Sequence, residues 1–236
     1  MMRIIHISSE YPPQQVFGLG RAVCDLAVAQ AGLGHQVHVV TNSVGGRQQE
    51  TVLDGVHIHR ISYPPPPKPP DDTTAVQQFN ISALQTATGV ARDNEPDVIH
   101  VHDWLTALSG RMLGWLHPQA GLVCTIHDTA QGKHFGKLTR PQQYSAHLER
   151  WIGQQADTVI CCSEYVCDEM TDSYGTPPEK IAVIPCGVDE SRWQLEGDLE
   201  GYRTLFAEPD EPIIGYVGRL DKEKGLSTLV EAFDTL

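Results

Sequence analysis

Short runs rich in valine and isoleucine recur along this chain, separated by longer stretches with helical spacing, and that alternation restricts the fold more than any other feature. The runs are Arg3 to Ser8, Gln36 to Thr41, Val56 to Ile61, Asp97 to His102, Leu122 to His127, Thr158 to Ser163 and Ile181 to Pro185. Apolar runs of this length suit strands buried on both faces of a parallel sheet. Helices are predicted near residues 20–33, 73–93, 104–116, 140–155 and 164–173. In the fourth of these, Tyr144, Leu148, Trp151 and Ile152 recur at helical spacing and should face the sheet. Strands joined through helices make right-handed crossovers, so the expected fold class is α/β, a Rossmann-like doubly wound parallel sheet. Ligands of such sheets collect where loops leave the carboxyl ends of the strands. The loops after Ser8, His102, His127, Ser163 and Pro185 are therefore the ones to inspect.

Two stretches interrupt this rhythm. YPPPPKPPDD, residues 63–72, can be neither helix nor central strand, because successive prolines remove donors and fix φ; an extended surface connection is expected. Beyond Val188 the polar run EGDLEGYRTLFAEPDEP leads to a fresh apolar segment, Ile213 to Val217, and an amphipathic segment that starts near Leu226. The expected organisation is a first domain over 1–190, a linker over 191–211, and the first strand, loop and helix of an incomplete second Rossmann-like domain over 212–236.

Composition narrows the partners. The 236 residues carry a formal charge of −13, which repels polyanions, and no basic patch overrides it, so nucleic acid is not expected. No apolar run approaches the roughly 20 residues needed to span a bilayer. The start, MMRIIHISSEYPP, lacks a secretory core of about 7–15 apolar residues, and a cytoplasmic location is expected. The six cysteines show no CxxC and no repeated ligand spacing, and read as buried reduced thiols.

Four places could carry chemistry. In SSEYPPQQVFGLGRAV, Gly18 and Gly20 open a helix whose free N–H groups favour phosphate or sugar oxygens. As a dinucleotide fingerprint it is incomplete, with Val23 at the third glycine position and no acidic residue after the second strand. VHDWL places His102 and Asp103, and TIHDT places His127, at the ends of consecutive strands and so at one crevice. Histidines there can bond sugar hydroxyls or stabilise developing charge. A metal site built from His57, His59, His100 and His102 is conceivable from their alternation, though no carboxylate completes it. In GRLDKEKGL, Arg219 and Lys224 could converge on a diphosphate and stabilise the charge that builds as its bond to carbon breaks; a solvated charge cluster is the competing reading.

Together SSEYPP..VFGLGRAV, VHDWLT, TIHDT, CSEYV, VIPCGVD and GYVGRLDKEKGLSTLVEAF resemble, in order and spacing, retaining glycosyltransferases of the GT-B fold, family 4, with a lean toward glycogen-synthase-like members. The resemblance implies an acceptor-holding N-terminal domain facing a domain that holds a nucleotide diphosphate sugar, with no metal or other cofactor. By that analogy His127 is catalytic, beside the transferred sugar. Arg219, Lys224, Gly18 and Gly20 bind phosphate, and Glu10, His102 and Asp103 line the acceptor side. Phe17 and Cys186 depart from the family pattern, where a glycine and an asparagine are usual. The implied reaction moves a hexose, glucose from the glycogen-synthase-like character of VHDWLT and TIHDT, to a sugar or α-glucan acceptor. A non-catalytic carbohydrate- or partner-binding module is the alternative, and an epimerase of related architecture a third reading. Residues 210–236, without the rest of their sheet, are expected to be mobile, swapped between molecules, or packed on a neighbour in a homo-oligomer.

Overall fold

A computed structural model describes residues 1–13, 18–43, 47–62, 72–190, 194, 197–220 and 224–234. The proline-rich stretch 63–71, Phe17 and residues 221–223 lie outside the described residues. The chain divides into two compact units, Met1–Val188 and Asp189–Leu236.

The first unit is built on one eight-stranded sheet. In chain order its elements are β1 (Arg3–Ile7), α1 (Gly18–Gly32), β2 (Gln36–Asn42), β3 (Gln49–Leu53), β4 (Val56–Ile61), α2 (Asp72–Asp93), β5 (Val98–His102), α3 (Ala107–Leu116), β6 (Gly121–Ile126), α4 (Ala130–Lys133), α5 (Arg140–Gln155), β7 (Thr158–Cys161), α6 (Glu164–Asp172) and β8 (Ile181–Val183). The strand order is β3-β4-β2-β1-β5-β6-β7-β8, with every pair parallel except the edge hairpin of β3 on β4. This is the doubly wound order, and the winding reverses between β1 and β5.

Side chains from both faces of the strands make two apolar clusters. One gathers Ile5, Ile99, Leu113, Leu122, Ile126 and Ile152, and the other Val23, Ala27, Val37, Val39 and Ile58. Aspartates start two of the inner strands. Asp97 Oδ2 accepts from the Arg3 N–H at 2.7 Å and Asp157 Oδ2 from the Leu122 N–H at 2.8 Å, so each satisfies a donor near the start of a neighbouring strand. α3 lies unusually close to β5, since a Cβ at Gly110 would stand 2.0 Å from Val101 Cγ1. Only glycine fits that contact, which sets the helix directly behind the strand that carries the site. Leu148 and Ile152 of α5 are buried against the sheet as their spacing predicts, and Tyr144 meets Trp104 edge-on.

In the second unit α7 (Leu199–Arg203) is capped by Asp198, whose Oδ1 accepts from the Gly201 N–H at 2.9 Å, and α8 (Leu226–Phe233) follows Gly225. The strand expected over Ile213 to Val217 is not formed. No strand occurs among the described residues of this unit, and an extended segment without a ladder partner leaves its backbone groups to solvent. Ile213, Ile214 and Val217 are exposed accordingly.

Candidate active site

The sheet edge at the reversal point gathers the loops that follow β1, β5 and β6. After β1, Ser8 Oγ donates to the Glu10 carbonyl at 2.7 Å and leaves Glu10 half-buried at the edge. After β5 the chain turns at Asp103, whose φ of 58° with ψ of 178° is a combination that side chains other than glycine's rarely tolerate. The turn is held from several sides. Thr106 Oγ1 donates to the His102 carbonyl and accepts from the His102 N–H, both at 2.9 Å, and Asn80 of α2 bonds the Leu105 carbonyl and the Ser109 N–H.

His127 follows β6, and its N–H donates to Asp103 Oδ1 at 2.8 Å, which joins the two predicted His-Asp motifs directly. The loop after His127 rests on a buried carboxyl group that the sequence reading missed. The Ala130 N–H donates to both oxygens of Glu149 at 3.1 Å, and the Tyr174 hydroxyl donates to Glu149 Oε2 at 2.6 Å. Glu149 is 2% exposed, and its position beside Leu148 on the apolar stripe of α5 was the available signal.

Behind His127 stands a file of imidazoles. Gln30 Oε1 accepts from His6 Nε2 at 2.7 Å, so His6 Nδ1 accepts from His102 Nε2 at 3.1 Å, and His102 Nδ1 faces His127 Nε2 at 3.5 Å. That order leaves the lone pair of His127 Nδ1 pointing outward, toward Cys162 Sγ at 3.7 Å. Burial holds the inner rings neutral: His6 is lowered to about 4, and His100 and His102 lie well below the usual histidine value. His102 is only 1% exposed, so the structure moves it from the expected acceptor surface to a support behind His127. The Asp103 carboxyl is pushed up to about 7, first by burial and then by repulsion from Asp128, and burial also raises Glu149 to about 7.

The metal site considered from alternation is ruled out by strand order. His57 and His59 lie on β4 and His100 and His102 on β5, with β2 and β1 between them, roughly 14 Å at about 4.8 Å per strand. Instead the histidines form two separate ladders across neighbouring strands, His38 with His57 and His59, and His6 with His100 and His102. Nor are the cysteines uniformly buried. Cys124 and Cys161 are, but Cys186 is exposed and Cys162 half-buried.

Gly18 opens α1 on the exposed side, whereas Gly20 is buried within it. Arg219 and Lys224 belong to the second unit, where both are exposed; the Tyr216 hydroxyl donates to the Arg219 carbonyl at 2.7 Å and Lys224 directly precedes Gly225 at φ 67°.

The strained turn makes one prediction here. Glycine normally costs about 0.5–1 kcal/mol against alanine, but relief of about 1–3 kcal/mol of strain should invert the order at this position. Asp103→Gly is expected to be about 1 kcal/mol more stable than Asp103→Ala, read as urea midpoints at unchanged slope. If alanine proves the better of the two, Asp103 does not occupy a glycine conformation in solution.

Residues 16–192 match the family model described as Glycosyltransferase Family 4. The chain belongs to glycosyltransferase family 4. Within that family it is 32% identical over 249 residues to a glycogen synthase of Mycobacterium tuberculosis, an alignment covering 100% of this chain and 58% of that protein. The chain thus spans under two thirds of the length of the curated relatives it matches. Its fold superposes on a sucrose-phosphate synthase from Thermosynechococcus elongatus with TM-score 0.77 at 21% identity, over 100% of this chain and 60% of that one. The catalytic domain of starch synthase IV from Arabidopsis thaliana, solved with ADP and acarbose, gives TM-score 0.70 at 17% identity, over 99% and 66%. These likenesses show a Rossmann-like domain of the GT-B fold. No helix among the described residues is long and apolar enough to cross a membrane.

Proposed function

We propose that the chain is the acceptor-binding part of a retaining glycosyltransferase that moves a hexose, glucose in our reading, from a nucleotide diphosphate sugar to a sugar or α-glucan acceptor. The observation that carries it is the bond from the His127 backbone to Asp103 Oδ1, at the reversal point of a family 4 sheet. Its similarity to a glycogen synthase, and in fold to a starch synthase solved with ADP and acarbose, supports the substrate class. Residues 1–190 form the acceptor domain, 191–211 a linker, and 212–236 the start of the donor domain.

The geometry supports the following roles. His127 stands half-buried with its ring braced from behind, suited to hydrogen-bonding a hydroxyl of the transferred sugar beside the carbon where positive charge develops. The Asp103 carboxyl, poised near 7, and Glu10 at the adjacent loop receive or donate hydrogen bonds to acceptor hydroxyls. Gly18 at the α1 N-terminus lets phosphate oxygens approach free N–H groups. Arg219 and Lys224 neutralise the departing diphosphate, and transfer retains the anomeric configuration.

The test is transfer by the full-length gene product from uridine, adenosine and guanosine diphosphate glucose to a malto-oligosaccharide, with and without His127→Ala. The expected result is transfer from one donor and a loss of roughly 100-fold or more in kcat/KM on substitution, with the far-UV spectrum unchanged. Glucan binding without transfer from any donor would overturn the catalytic reading in favour of a binding module.

A further inference from the structure

Three strand ends bring a histidine and two cysteines together. His127 follows β6, Cys162 follows β7 and Cys186 follows β8, and the backbone bond from the Ile184 N–H to the Cys161 carbonyl at 2.9 Å keeps the last two ends aligned. Their donor atoms, one ring nitrogen and two sulfurs, all lie within 4.8 Å of one another. Cys162 Sγ is 3.7 Å from His127 Nδ1 and 3.6 Å from Cys186 Sγ.

We propose that His127, Cys162 and Cys186 form a binding site for a thiophilic divalent cation, Zn²⁺ above all, with a fourth position open to solvent. The claim concerns cation binding by this chain; because the cation would take His127 Nδ1 while Nε2–H bonds His102, bound Zn²⁺ would block the hydrogen bond to sugar that the proposed transfer gives this ring. Its first support is metric. Tetrahedral Zn²⁺ with bonds of about 2.3 Å to sulfur and about 2.0–2.1 Å to nitrogen sets sulfur–sulfur edges near about 3.75 Å and sulfur–nitrogen edges near about 3.55 Å. The observed separations of 3.6 and 3.7 Å match those edges within a few tenths of an ångström. The second support is the prepared lone pair. The file from Gln30 through His6 and His102 selects the tautomer in which His127 Nε2–H points inward to His102, and a ligating imidazole whose other N–H is so bonded is the usual arrangement behind a bound metal. Charge is the third, since two thiolates balance a divalent ion at a half-buried site, and binding would release the two thiol protons to solvent. Cys186 is exposed, which leaves a route of entry. The neighbouring group His6, His100 and His102 lacks these properties: it is wholly buried, and the ring nitrogens of His6 and His102 are taken up by neighbours.

The experiment titrates Co²⁺ into this chain with its thiols kept reduced, following the ultraviolet thiolate-to-cobalt charge-transfer band and the visible bands of tetrahedral cobalt, then displaces the cobalt with Zn²⁺. One equivalent should bind. Cys162→Ser and Cys186→Ser, near-isosteric changes checked by circular dichroism, should each weaken binding at least about 10-fold and cut the charge-transfer intensity, whereas Cys24→Ser should change neither. A folded protein that shows no saturable charge-transfer band, or a band that survives in the Cys162→Ser, Cys186→Ser double variant, overturns the proposal.

Discussion

Replacing Arg219 and Lys224 together by alanine in the full-length gene product is expected to lower kcat by about 10³-fold or more and to leave the acceptor KM nearly unchanged. The size follows from where charge moves. When a sugar–phosphate bond breaks, negative charge collects on the departing diphosphate, and cations placed there act more strongly in the transition state than in the ground state. A single oriented donor of this kind is commonly worth about 10²–10³ in rate, and two acting on the same group are not additive. The acceptor KM should stand still because Glu10, Asp103 and His127 belong to the first unit and are untouched. Arg219→Lys should fall between, since it keeps the charge but loses the planar fork that meets two phosphate oxygens at once. The competing reading, a solvated charge cluster, forecasts a change below about 10-fold for the double variant, and that result would remove both residues from the reaction.

Much of the scaffold was legible because a doubly wound sheet writes itself in buried runs. The strands of the parallel sheet lie where the Val and Ile runs put them, and α5 begins and ends at the residues its periodicity marks, Arg140 and Gln155. What escaped was β3, an edge strand whose residues are mostly exposed and so carry no apolar run. Its signal was chemical: Asp54 and Gly55 both take positive φ, at 50° and 78°, the tight-turn pair that joins two antiparallel strands. Ile213 to Val217 misled for the opposite reason. The apolar run is there, but a strand is a relation between neighbours, and none stands beside it among the described residues of its unit.

At the site, residue types and strand ends sufficed to bring Asp103 and His127 to one crevice, because both motifs close parallel strands that pair in register, His102 opposite Thr125. They could not show which rings face outward. Alternation along β5 predicts that His100 and His102 share a face, yet burial of that face depends on helices that periodicity does not position. The approach of Cys162 and Cys186 to His127 was equally invisible to spacing along the chain, since their separation in sequence is set by two crossovers. Comparing only the residues just past β6, β7 and β8 would have revealed it.

Acid is expected to destabilise the first unit well above the pH at which ordinary carboxylates titrate, by about 3 kcal/mol between pH 6.5 and 5. Four buried histidines have folded-state values far below the ordinary 6.5: His6 and His38 at about 4, His100 and His102 lower by burial and mutual repulsion. Between pH 6.5 and 4 the unfolded chain takes protons that these native rings refuse, so their contribution is present above 6.5 and lost as pH falls. Asp103 and Glu149 work in the opposite sense. Raised to about 7 from 3.8 and 4.5, they keep protons in the native state that the unfolded chain has released, and their contribution is lost as pH rises toward 7. Near pH 5, where the unfolded histidines are almost fully protonated, four rings against two carboxyl groups leave about two protons taken up on unfolding, a slope of roughly 2.7 kcal/mol per pH unit that shrinks toward pH 6.5. Urea unfolding from pH 5 to 7.5 measures that slope directly. His38→Asn should flatten it by about one proton, and Asp103→Asn should steepen it by about one, because it deletes an opposing group. A flat profile, or two variants that move the slope the same way, would mean that the imidazole ladders are hydrated and titrate as free histidines do. That would also remove the neutral file of His6 and His102 on which the orientation of His127 depends.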